Sequence, residues 1–83
     1  MTYEAYAPLF YTINSDWSIN LTNLDRIWIK DDSVTFFLVS GPLSFSYKTG
    51  VAEKIVTKDE LETIKNQAHN LIKYFHVKFE RES

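Results

Sequence analysis

Apolar and polar side chains alternate through the middle of the chain, and the alternation predicts strands. In "DRIWIKDDSVTFF" Ile27 and Ile29 share one strand face, while Arg26, Trp28 and Lys30 share the other. Asp31-Asp32 breaks the pattern with two residues that tolerate left-handed backbone and bond locally, which is the chemistry of a hairpin tip. That tip sets Ile29 opposite Val34 and Ile27 opposite Phe36. Gly41-Pro42 offers a second tip: glycine supplies a positive φ, and the fixed φ of proline suits the next position of a II′-like turn. This turn pairs Leu38 with Phe45 and Phe36 with Tyr47. Both tips give one inner face of Ile27, Ile29, Val34, Phe36, Leu38, Leu43, Phe45 and Tyr47. A one-residue slip at either turn would split that set between two faces, so the agreement constrains the register.

Upstream, a three-residue tip at Asn14-Ser15-Asp16 pairs Ile13 with Trp17, Tyr11 with Ile19 and Leu9 with Leu21. Residues 51–56 supply either a fifth strand or a lead into the next element. Then the period changes. Thr57-Lys58-Asp59-Glu60 reads as a capping box, with Val56 and Leu61 placed as its hydrophobic staple. Leu61, Ile64, Ala68, Leu71, Ile72 and Phe75 recur at steps of three and four, which is one helical stripe. The helix is expected over about 58–76. Its end is open, because "FHVKFE" alternates like a strand while Phe79 also continues the stripe and no breaker intervenes. The expected class is α+β: an antiparallel meander of four to five strands within about 8–56, with one C-terminal α-helix packed on one face. Residues 1–83 are expected to form a single domain.

Size and composition narrow the functions. A chain of 83 residues buries roughly 60–65% of its unfolded surface and has little stability to spare. Two tryptophans, five tyrosines and six phenylalanines provide its large buried areas. Cysteine is absent, which excludes disulfides, thiolate metal sites and cysteine nucleophiles. The N-terminal stretch lacks the basic start and apolar run of a signal peptide, and no apolar run reaches the ~20 residues of a membrane span. A cytoplasmic protein with no membrane partner is expected. The net charge of −2, with signs interspersed, is unfavourable for a general nucleic-acid coat.

Candidate chemistry is sparse. His69 and His76 are seven positions apart, ~10 Å along a helix, whereas one metal needs helical ligands three or four apart. Asp31-Asp32-Ser33 lacks the ligand alternation and turn glycine of a calcium loop. No serine has an evident base, and two glycines cannot build a phosphate-cradling loop. No enzymatic activity and no cofactor or metal is expected.

The outer sheet face is the one sharp lead. Trp28 lies opposite Thr35 and Arg26 opposite Phe37, with Phe37 diagonal to Trp28. Val39 extends the patch, and Lys30, Ser44, Ser46 and Lys48 form its polar border. Three readings compete for Arg26, Trp28, Lys30, Phe37 and Val39. Residues 1–7 cover them; or they bind a protein partner, which includes a second copy in a homodimer; or the aromatics form a stacking platform for single-stranded nucleic acid. The expected function is a non-enzymatic protein-binding module, a regulator or inhibitor occupying a surface on a larger protein. Small cysteine-free regulators, phage-encoded ones among them, share this general character by class only. The alternative is a sequence-tolerant single-strand nucleic-acid binder.

Overall fold

The computed structural model describes residues 10–14 and 16–80. Its elements run β1 (Phe10–Thr12), β2 (Ser18–Asn20), a 3-10 turn (Leu21–Asn23), β3 (Leu24–Ile29), β4 (Ser33–Leu38), β5 (Gly41–Ser46), β6 (Lys54–Ile55), α1 (Lys58–Phe75) and β7 (Lys78–Glu80). The class is α+β: among the described residues one α-helix, near the C-terminal end and followed only by β7, accompanies a mostly antiparallel sheet of order β6-β5-β4-β3-β7. The two short outermost strands of this order run parallel to their neighbours: β6 along β5 and β7 along β3. β1 and β2 form a separate two-stranded sheet.

The Asp31-Asp32 tip is where the alternation places it, since Lys30 N donates to Ser33 O across 2.8 Å and Ile29 faces Val34. The second tip differs from expectation. Leu38 pairs with Gly41, Phe36 with Leu43 and Val34 with Phe45, so the turn residues are Val39-Ser40. Gly41 still takes a positive φ of 128°, but as the first residue of β5. The Lys30–Ser33 bond makes Val34, Phe36 and Leu38 the residues that bond toward β5. By the same alternation Pro42 points its nitrogen away from β4. Among the described residues no second strand lies there, because β6 reaches only Phe45 and Ser46. A proline is tolerated at such an edge position. The pairing is displaced by an even number of residues, so every side chain keeps its face.

A bulge lies at Asp25, between the pairs Leu24–Leu38 and Arg26–Phe37. It turns Leu24 onto the inner face beside Ile27 and Ile29, and Leu24 packs against the core. All eight residues of the expected inner face belong to the core or pack on it.

The helix starts as its sequence dictates. Thr57 Oγ1 accepts from Glu60 N at 3.1 Å, and Glu60 Oε1 accepts from Thr57 N at 2.8 Å. Leu61, Ile64, Ala68 and Leu71 are buried against β3, β4 and β5. Each of the larger side chains contributes at most about 1.5–3 kcal/mol by leaving water. The helix ends at Phe75 because His76 turns left-handed, at φ 58°. The amides of His76 and Val77 then both point back to the Leu71 carbonyl. That reversal lets β7 add to β3, which resolves the ambiguity of "FHVKFE" in favour of helix, then strand.

The β1–β2 hairpin has the expected register, Tyr11 opposite Ile19, with Ile13 N donating to Trp17 O at 3.0 Å. Leu9 lies outside the described residues. An isolated hairpin is marginal in water, so this one needs anchors. Ile13 and Ile19 are buried in the common core. The Tyr11 hydroxyl donates to Gln67 Oε1 at 2.6 Å, and its ring meets Phe75 edge-on at 5.6 Å. Trp17 meets Phe45 edge-on at 5.9 Å.

Candidate functional site

β3 and β4 bring Arg26, Trp28 and Phe37 onto one face, with the helix on the other. Arg26 stands opposite Phe37 and Trp28 opposite Thr35, as the alternation requires. The pairing explains why a large aromatic lies between two cations. The Arg26 guanidinium carbon is 4.1 Å from the Phe37 ring centroid, and Lys30 Nζ is 4.8 Å from that of Trp28. Each ring therefore carries a cation on its face, an attraction worth about 0.5–1 kcal/mol at an exposed site. Arg26 also pairs with Asp25 Oδ2 at 2.7 Å, so the bulge supplies its counter-charge. Both aromatics are half-buried rather than bare. The Trp28 indole nitrogen is shielded from solvent and meets no acceptor among the described residues. A buried donor in that state costs roughly 1–3 kcal/mol, which an acceptor would recover.

β7 borders this face. Lys78 stands in register with Arg26, and Glu80 with Trp28. The alternation of "FHVKFE" does not by itself place these residues beside Trp28, because their position depends on the pairing of β7 with β3.

Two residues of the expected patch are elsewhere. Val39 is 82% exposed, but at the β4–β5 tip, where its amide donates to Asn23 O at 2.9 Å. It is a turn residue and does not extend the strand face. Ser46 is no border residue, for it is fully buried. Its hydroxyl donates to the Asp32 carbonyl at 2.6 Å and accepts from Lys48 N at 3.0 Å. Ser44 contacts the Thr35 hydroxyl at 3.1 Å, and Lys48 Nζ reaches Asp32 Oδ2 at 3.5 Å. The Asp31-Asp32 tip is thus tied down by side chains, with Lys65 Nζ donating to the Asp31 carbonyl at 3.1 Å.

A groove of about 290 Å³ opens between β2 and the β4–β5 tip. Trp17, Ile19, Leu38 and Leu43 give it apolar walls, and Asn20 and Asn23 add amides. None of its lining side chains is charged. Spacing gave no sign of it, because it depends on how the separate hairpin docks. His69 and His76 are both exposed, and the described residues contain no cluster of three or more groups fit to hold a metal. No helix among them is long and apolar enough to cross a membrane.

Comparison with protein-family models, with curated proteins and with solved structures finds no match to this chain.

Proposed function

We propose that the chain is a non-enzymatic protein-binding module, acting in the cytoplasm by occupying a surface on a larger protein as a regulator or inhibitor. The observation that carries this reading is the pair of cation-capped rings, Arg26 on Phe37 and Lys30 on Trp28. Aromatics and arginine at the centre of a patch with a polar surround are the residues that dominate protein interfaces. The indole N–H in the same patch meets no acceptor among the described residues, and a rearrangement on binding that gave it one would recover the cost of leaving it unmet.

The same geometry weighs against the single-strand reading. A base stacks on a free ring face, and here a cation already occupies a face of each ring. The test is affinity capture on the immobilised chain in parallel with Arg26→Ala. A partner retained by the first and lost by the folded second supports the proposal, while equal retention removes it.

A further inference from the structure

We propose that the groove between β2 and the β4–β5 tip binds a small uncharged ring compound that carries a carbonyl group. Its volume of about 290 Å³ lies at the lower end of small-molecule sites, which start at roughly 300 Å³.

Two parts of the fold that meet only through tertiary packing form its sides. On one side Asn14 Oδ1 accepts from Trp17 N at 2.8 Å, and the Trp17 ring packs edge-on at 5.9 Å against the fully buried Phe45. On the other stand Leu38 and Leu43, which are half-buried and pack on the core. The 2.9 Å bond from Val39 N to Asn23 O ties the two sides together. At Gly41, φ is 128° and no described atom lies within 4 Å of the place a Cβ would take. The start of β5 thus leaves open space along the groove.

The lining chemistry selects the ligand. No acid or base lines the groove, so no charge there offsets the desolvation of an ion. Lys54 Nζ approaches the Trp17 ring to 5.0 Å but stands outside the lining. An indole wall and two leucines favour an apolar ring, which gains both buried area and ring contact. A sugar would bring many hydroxyls to walls that offer few partners for them.

The polar group of the ligand follows from Asn20. Its Oδ1 accepts from Thr22 N at 3.1 Å and from Thr22 Oγ1 at 2.7 Å. The bond from a backbone N–H identifies that end of the amide as the oxygen. The Nδ2 end remains, and it meets no acceptor among the described residues. Asn20 is half-buried, so a ligand carbonyl that accepts from Nδ2 is partly screened from water. Asn23 adds a second amide at the exposed rim. None of Arg26, Trp28, Lys30 and Phe37 lines this groove, and the inference does not rest on the function proposed for that face.

Benzamide, benzoate and benzamidinium share one shape and differ in charge, which makes them the probes. Each is titrated into the isotope-labelled full chain, read by nuclear magnetic resonance at the Asn20 and Asn23 side-chain amides and the Trp17 indole. Benzamide should shift these signals saturably with a millimolar Kd, the range expected of so small a ligand. Benzoate and benzamidinium should bind about fivefold more weakly or worse. This ranking tests the proposal without any substitution. Asn20→Asp keeps an oxygen for Thr22 and replaces the amide donor with an anionic oxygen. It should leave the rest of the spectrum in place, weaken benzamide by about threefold or more, and turn the order in favour of benzamidinium. A purely structural role for Asn20 would not change that order. Groove signals that do not respond overturn the proposal, as do three probes that bind equally or a folded Asn20→Asp chain with the wild-type order. Methyl glucoside binding more tightly than benzamide would place a sugar in the groove and overturn it as well.

Discussion

The Ser46 hydroxyl donates to the Asp32 carbonyl across 2.6 Å and accepts from the Lys48 amide at 3.0 Å, joining the β3–β4 tip to the end of β5. Ser46 is fully buried and faces Ser33, itself 5% exposed, so these bonds have no water to replace them. Ser46→Ala leaves one acceptor and one donor without their partner. It should lower the unfolding free energy by about 1–3 kcal/mol in urea titration. Ser44→Ala, which loses only a half-buried hydroxyl pair, should cost clearly less.

A second relationship joins the separate hairpin to the helix. Tyr11 bonds Gln67 through its hydroxyl and touches Phe75 through its ring. Tyr11→Phe should cost about 0.5–1.5 kcal/mol, the net value of one hydrogen bond. Tyr11→Ala removes both contacts and should cost more. Hydrogen exchange should show the loosening first in β1 and β2, whose backbone pairing depends on these anchors. Uniform loosening of the whole chain would mean that the hairpin does not open as a separate unit.

Nucleic acid should bind poorly. Lys30 and Arg26 each lie over a ring, and the charge balance of nine cations against eleven anions leaves little attraction for phosphate. Fluorescence anisotropy with mixed-sequence single-stranded DNA and RNA near physiological salt should show weak binding. Submicromolar affinity with a steep salt slope would make the single-strand reading the better one.

Much of this architecture is legible in the chain because it rests on short-range rules. The alternation at Ile27, Ile29, Val34 and Phe36 fixes an inner face, and the capping box at Thr57 fixes a helix start. The Gly41-Pro42 pair does not fix its own turn, since a glycine of positive φ fits either within a tip or just after one. Ladder geometry decides between them, by sending the missing N–H of Pro42 to a side of β5 where no described strand pairs with it. The Asp25 bulge has a signal in the step of three from Leu24 to Ile27, where a regular strand has two. The end of the helix has none. His76 turns left-handed without glycine, and the strand that follows exists through its pairing with β3. The cation-capped rings were half legible: period-two spacing sets Arg26, Trp28 and Lys30 on one face, but contact between side chains depends on rotamers and on the twist of the sheet. Alternation puts Ser46 on the outer face but does not say what covers that face, and there Ser46 is fully buried.

The central claim is that the cation-capped face serves binding more than stability, and Trp28→Ala tests it most directly. Unfolding free energy and quantitative affinity capture from cell extract are measured on the same preparations, with Asn66→Ala on the exposed helix surface as control. The indole is half-buried, so the stability loss should stay below the ~3–5 kcal/mol of a fully buried tryptophan. Affinity for the captured partner should fall by about 2 kcal/mol or more, the scale of an interface hot spot, while Asn66→Ala keeps it. A Trp28→Ala chain that stays folded and retains the same partner at full affinity would contradict the account.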